Sequence, residues 1–263
     1  MTSHASSGHD HQTAWPETMI AAGAYGLLTH AHLSAAKLRN LQDVEVISAK
    51  RVIRSDVKTP PRLSVVVSGW ACRRRILADG RQQILSLIMP GDFLRCTTSG
   101  EGVDGEEIFS LTSVQLIDAA RFLDDGDPSA SDRVQLALQR AAQVGEHLLL
   151  NQIVRMGRLS ARERMAHLLL ELHDRLDGVG LIHGDSYILP LSQETIADIT
   201  GLSIVHVNRV LQQLRREGLI VFASNKVTLP SKGVLARLAN YQPLPTYTGH
   251  QTATDVRRDA FKP

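Results

Sequence analysis

Two cysteines, Cys72 and Cys96, are all that this chain of 263 residues contains. That is too few for a disulfide framework or a four-thiolate cluster, and it fits a reducing cytoplasm. No run approaches about eighteen uninterrupted apolar residues, so a membrane-spanning helix is not expected. The Ser- and His-rich stretch from Met1 to Trp15 lacks an apolar segment, so it does not read as a secretory signal. A strong basic excess is also missing. The net charge of +2 argues mildly against large nonspecific binding of nucleic acid. There is no Gly-rich phosphate loop after a strand, no cluster of metal ligands and no nucleophile–base arrangement, so no enzyme is expected. Arg73-Arg74-Arg75 could form an anion site. On a strand, however, alternate residues face opposite ways, which leaves at least one of these arginines solvated.

What the chain does have is an apolar fraction of 43%, enough for a packed core without disulfides or metals. Residues 1–16 form an aperiodic polar tail, in which His4, His9 and His11 read as solvated rather than metal-binding. From Glu17 to Leu41, apolar residues recur at helical spacing. From Val44 the texture changes to short β-branched runs broken by turns. Trp70 to Leu77 and Gln82 to Ile88 flank Ala78-Asp79-Gly80-Arg81, and Asp-Gly between extended runs signals a hairpin. Met89-Pro90-Gly91-Asp92 ends the second run. Further strands are expected over Glu107–Leu111 and Val114–Ile117. Short strands at this spacing predict a β-sandwich or rolled-up barrel over residues 17–128.

After Asp127-Pro128 the pattern turns helical. Ser131 to about Met156 predicts one long helix, in which Val134, Leu138, Ala141, Gly145 and Leu148 alternate at steps of four and three. That spacing makes a coiled-coil seam joining two copies, with small residues where the backbones approach. The helix is assigned to residues 129–157. A second helix starts at Ser160, where Ser-Ala-Arg-Glu forms a capping box, and ends near Asp177-Gly178.

The most specific signal lies at Gln193 to Gln212, QETIADITGLSIVHVNRVLQ. Ser192 caps a first helix and Ile196, Ala197 and Ile199 face inward. Gly201 supplies the left-handed turn, Leu202 plugs the angle and Ser203 caps a second helix. Val207, Val210, Leu211 and Leu214 form the buried stripe of that helix. Ile204, Val205, His206, Asn208, Arg209, Gln212 and Arg216 then face outward. Arg suits guanine and Asn or Gln suits adenine, so this helix, residues 203–217, is expected to read the major groove of DNA. Ser192, Gln193, Asn225 and Lys226 complete the expected DNA contacts. The last two sit on a wing between Gly218–Val221 and Lys226–Leu229. A closing helix over Ser231–Tyr241 completes a unit spanning 158–241, and 242–263 reads as a loose tail.

Val67-Ser68-Gly69-Trp70, the hairpin through Asp79-Gly80-Arg81-Gln82 and Pro90-Gly91-Asp92-Phe93 resemble the β-roll of the CRP/FNR family of bacterial regulators. Leu191-Ser192-Gln193-Glu194, Ile196-Ala197 and His206-Val207-Asn208-Arg209-Val210-Leu211 resemble its DNA-binding motif. The resemblance covers roughly residues 25–240. It implies an α+β fold: a cyclic-nucleotide-binding-like jelly roll, a long dimerisation helix and a C-terminal winged helix-turn-helix. It also implies a cytoplasmic homodimer, a palindromic operator and contacts with RNA polymerase.

Three departures stand out. Cyclic-nucleotide-binding members hold phosphate with Arg and Ser or Thr, whereas Arg95 to Glu107 here carries four carboxylates and no arginine at that place. A cyclic nucleotide is therefore disfavoured. Iron–sulfur members need four cysteines, so a cluster is disfavoured too, and both thiols read as structural. A haem on a histidine such as His30 or His32 stays open, and the effector is otherwise unidentified. Finally, Val205 stands where well-known members carry Glu, which changes the expected half-site. The alternative to an allosteric regulator is a constitutive architectural DNA-binding protein whose β-roll only scaffolds dimerisation. A differential operator affinity with and without a small molecule separates the two.

Overall fold

The structure is a computed structural model that describes residues 44–53, 63–95, 106–119 and 128–243, with 128–134 described as backbone only. Several expectations lie outside these residues: the tail 1–16, the helices over 17–41, His30, His32, Cys96, most of the acidic loop, and the tail beyond 243.

Among the described residues eight strands come first: β1 (Glu45–Ile47), β2 (Val52–Ile53), β3 (Leu63–Ser68), β4 (Ala71–Ile76), β5 (Gln82–Ile88), β6 (Phe93–Arg95), β7 (Glu106–Ser110) and β8 (Val114–Asp118). Among the described residues they form two antiparallel sheets, ordered β1-β8-β3-β6 and β2-β7-β4-β5. The expected β4–β5 hairpin is present. Gly80 takes φ +84°, Asp79 Oδ1 accepts from the Arg81 N–H at 3.0 Å, and Leu77 N–H donates to the Arg81 carbonyl. Gly91 at φ +91° makes the next turn, closed by Asp92 Oδ2 accepting from Met89 N–H at 2.7 Å. The strands expected near 107–111 and 114–117 are neighbours in sequence but join different sheets.

The interior of the sandwich is aliphatic: Ile53, Val66, Ala71, Ile88, Leu94, Val114 and Leu116 are buried together. Burying such side chains contributes roughly 1.5–3 kcal/mol each. β3 alternates, so Val65 and Val67 point the other way and pack with Ile117 and Ala119 against Ala137 and Leu138 of the long helix. That helix, α1, runs Pro128–Arg158.

Two arginines of the triplet on β4, Arg73 and Arg74, are drawn into ion pairs, while Arg75 Nε is buried without a hydrogen-bond partner. Arg73 meets Glu106 at 3.3 Å, and Arg74 pairs with Glu107 across the β4–β7 ladder. Arg74 also donates to Gln82 Oε1 at 2.9 Å and lies 3.5 Å above the Phe109 ring. Two of the loop's four carboxylates are thus neutralised by the neighbouring strand.

The C-terminal part comprises α2 (Ala161–Asp177), β9 (Ser186–Ile188), α3 (Gln193–Thr200), α4 (Ile204–Arg216), β10 (Val221–Ala223), β11 (Lys226–Thr228) and α5 (Lys232–Ala239). The capping box at Ser160 is formed in both directions: Ser160 Oγ accepts from Glu163 N–H, and Glu163 Oε2 accepts from Ser160 N–H at 2.7 Å. β9 is an addition to the expected elements. It pairs antiparallel with β11, placing Tyr187 against Val227 in a three-stranded sheet. One apolar cluster contains Met165, Leu168, Leu169 and Leu172 of α2, the buried stripes of α3 and α4, and Leu235 of α5. It also contains Trp70, Cys72, Ile84, Leu87 and Met89, so the outward face of the β4–β5 hairpin packs on the helices. Arg175 of α2 reinforces this contact, donating to the Leu87 carbonyl at 3.0 Å and pairing with Asp92 at 2.5 Å.

Candidate nucleic-acid interface

The two helices of the motif are terminated by the residues the sequence nominated. Ser192 is extended and its Oγ accepts from Thr195 N–H at 3.1 Å; Ser203 does the same for His206 N–H at 3.2 Å. Each bond satisfies one otherwise unpaired N-terminal donor. Gly201 is left-handed at φ +65°, and its N–H returns to the Ala197 carbonyl. Ile196, Ala197, Ile199, Val207, Val210, Leu211 and Leu214 are all buried. Burial of that stripe sets the rotation of α4 about its axis, and so decides which residues face out.

Those residues are Ile204, Val205, Arg209, Gln212 and Arg216, which are exposed, and His206 and Asn208, which are partly covered. Val205 is 70% exposed, the most exposed of the large aliphatic side chains among the described residues. Arg215 and Arg216 lie in the last turn of α4, where positive charge is favoured by the helix dipole. On the wing, Ser224 and Asn225 take φ +48° and +61°, making a tight hairpin turn between β10 and β11. Asn225 and Lys226 are exposed at its tip.

One arrangement goes beyond the sequence reading. Asn208 Nδ2 donates to Gln193 Oε1 at 3.2 Å, and Asn208 Oδ1 accepts from Gln212 Nε2 at 2.7 Å. The three amides form a ladder across α3 and α4. Asn208 is engaged at both ends, so the outward groups are the Gln193 amide nitrogen and the Gln212 carbonyl oxygen. Only the folded arrangement reveals it, because Gln193 lies fifteen residues away on another helix.

The expected seam on α1 is only partly presented. Leu138 packs against the β-roll cluster and Leu148 faces Ile84 and Leu168 within its own chain, while Ala141 and Gly145 are half-covered. Val134 lies among the residues described as backbone only. The exposed aliphatics are instead Leu136, Leu149, Leu150, Ile153 and Val154. Leu149 is one residue on from Leu148, roughly 100° around the helix.

Beneath the motif lies a buried polar network. Arg155 of α1 pairs with Glu171 of α2 at 3.2 Å, and both are nearly inaccessible. Arg155 also approaches His167 Nδ1 at 3.5 Å. Burial, with the Arg155 guanidinium second, pushes the His167 imidazole down to about 4. Asp198 on α3 accepts from Gln82 Nε2 at 2.6 Å, and burial raises its pKa despite that hydrogen bond. Among the described residues no cluster of potential metal ligands occurs, and no helix is long and apolar enough to cross a membrane.

Comparison with known proteins agrees with this geometry. Residues 163–238 match the Crp-like helix-turn-helix domain. The chain is 30% identical over 204 residues to the nitrogen fixation regulation protein FixK of Bradyrhizobium diazoefficiens, spanning 75% of this chain and 83% of that one. FixK of Azorhizobium caulinodans is 31% identical, over 73% of this chain and 77% of its own. Among solved structures, FixK2 from Bradyrhizobium japonicum superimposes with a TM-score of 0.57 at 24% identity, covering 78% of this chain and 98% of that one. A CRP-family transcriptional regulator from Thermus thermophilus does so at 0.54 and 26%, covering 77% and 100%. The β-roll, the long helix and the winged helix-turn-helix are the architecture of these regulators, and the chain belongs to the CRP/FNR family of DNA-binding transcription regulators, not to a class of enzymes.

Proposed function

We propose that the protein acts in the cytoplasm as a homodimer that binds a two-fold symmetric operator, with α4 of each copy in the major groove. A signal received at the β-roll (residues 17–128) controls it allosterically, and the bound dimer contacts RNA polymerase. Residues 129–157 serve as the dimerisation helix and 158–241 as the DNA-binding unit. The observation that carries this reading is the outward face of α4, rotated by its buried stripe so that Val205, Arg209 and Gln212 lie exposed along it.

Arg209 is the base reader, placed to bond guanine O6 and N7. Val205 can only pack on a thymine methyl. Ile204, His206 and Gln212 flank them, while Asn208 orients Gln193 and Gln212 through the amide ladder. Ser192 and Ser203 mark helix N-termini suited to backbone phosphates, and Arg216 at the end of α4 and Asn225 and Lys226 on the wing are suited to phosphates as well. For the dimer, the exposed aliphatics Leu149, Leu150, Ile153 and Val154 form the partner-facing surface. Such a face on a helix of 31 residues is what a coiled-coil partner covers. This shifts the seam by one residue from Leu148.

The test is selection of duplexes from a random library with the full-length protein. The expected product is a palindrome, and Arg209→Ala then costs about 1–3 kcal/mol while relaxing preference at one base pair per half-site. A uniform loss over all sequences would make Arg209 a phosphate contact instead. Ile153→Lys should yield monomers by light scattering and abolish tight operator binding.

A further inference from the structure

The C-terminal end of α3, where the chain turns into the recognition helix, is held by side chains from outside the motif. A helix leaves its last four carbonyls without intrahelical partners. Here the Ala197 carbonyl is taken by the N–H groups of Gly201 and Leu202. The other three are met from elsewhere. Gln83 Nε2, on the β4–β5 hairpin, donates to the Asp198 carbonyl at 2.7 Å and to that of Ile199 at 3.4 Å. Gln152 Nε2, on α1, donates to the Ile199 carbonyl at 2.9 Å. Arg164 of α2 reaches the Thr200 carbonyl at 3.3 Å. Arg155 fixes the direction of the Gln152 amide: its Nε donates to Gln152 Oε1 at 2.9 Å, which leaves the nitrogen facing Ile199. Arg155 is itself tied to Glu171.

We propose that Gln83 and Gln152 are positioning residues for operator recognition, clamping the helix-turn-helix to the β-roll and to the long helix. The inference rests on the operator reading above. If the dimer joins along α1, the clamp fixes each recognition helix relative to the two-fold axis, and so fixes the half-site spacing the dimer accepts. Neutral amides suit the task, because they satisfy buried carbonyls without placing another charge beside Asp198. The hairpin that carries Gln83 belongs to the β-roll, so movement of that sheet is transmitted to the turn through hydrogen bonds rather than through a linker.

The experiment compares wild type with the double variant Gln83→Met/Gln152→Met, which keeps side-chain length and removes both donors. Each is titrated against the library-selected duplex and against a series with the half-sites moved closer or apart by single base pairs. Wild type should lose on the order of tenfold affinity per base pair away from the optimum, since each step rotates one half-site about the DNA axis. In the double variant that penalty should shrink to about threefold or less, while base preference within the half-site is kept. A purely structural role would lower affinity equally at every spacing, and that result, like an unchanged spacing profile, overturns the clamp. A wild type that selects no two-fold duplex overturns the operator reading instead. Should the double variant fail to fold by circular dichroism, Gln83→Met alone carries the same comparison.

Discussion

Replacing His167 by Gln should remove most of the acid sensitivity of folding between about pH 6.5 and about pH 4. His167 is 5% exposed on α2, its ring edge-on to Tyr241 at 4.9 Å and beside the Arg155 guanidinium. Burial first, and Arg155 second, push its pKa from 6.5 to about 4. In the unfolded chain the imidazole takes its proton near 6.5; in the folded chain it stays neutral until about 4. The depressed value therefore contributes stability in full above about 6.5, and that contribution is lost as pH falls to about 4. At about 1.4 kcal/mol per pH unit the difference amounts to about 3 kcal/mol. That is a large share of a typical folding free energy of about 5–15 kcal/mol. Urea unfolding followed by circular dichroism at a series of pH values measures it. The His167→Gln profile should be flatter than wild type by about 3 kcal/mol over this window, whatever its stability at neutral pH. Two parallel profiles would refute the reasoning, because they would mean the imidazole is solvated or charged in the fold.

Gly69→Ala should destabilise the β-roll by more than about 3 kcal/mol in thermal melts, since at φ +83° a Cβ would stand 1.9 Å from the Ser113 carbonyl oxygen, a backbone atom that cannot yield. Gly201→Ala should cost only about 1–2 kcal/mol, because its Cβ meets Met156 Cε at 2.5 Å, the end of a flexible side chain, and the left-handed backbone is the main penalty. In a Cys96→Ser background the remaining thiol, Cys72, fully buried and pushed up to about 12, should not react with a disulfide reagent until denaturant is added. Arg155→Met should cost about 3–5 kcal/mol by leaving Glu171 buried without its partner, and Arg155→Met/Glu171→Met should recover much of it in a double-mutant cycle.

What could be read from the sequence was local. Ser192, Ser203, Gly201 and Ser160 announce helix ends because a cap or a left-handed turn needs a particular residue type at one position. The Asp79-Gly80 hairpin is legible for the same reason. The face of α1 was harder to read. Leu148, Leu149 and Leu150 follow one another, so a periodic pattern can be drawn through any of them, and only the packing of Ala137 and Leu138 on the β-roll, with Leu148 half-buried at a cleft of its own chain, selects which side stays open. β9 is three residues long and owes its existence to pairing with β11. The clamp was invisible: Gln83 and Gln152 look like ordinary surface glutamines until their partners, 115 and 47 residues away, are brought alongside.

The same contrast bears on how the reading head divides its labour. On the proposed face, Val205 and Ile204 are apolar and the Asn208 amide is bonded on both sides, which leaves Arg209 as the single formal charge between Ser203 and Gln212. Discrimination through charge-assisted bonds then concentrates at Arg209, while Arg216 and Lys226 supply attraction that every sequence shares. In the proposed dimer, a head with so few strong base contacts would gain specificity from geometry, through the spacing and angle at which two copies meet the duplex. That is the quantity a rigid attachment controls. On that proposal, the Gln83 and Gln152 bonds, with the Arg155–Glu171 pair beneath them, sit at a joint where stiffness would convert a modest set of base contacts into selection of a site.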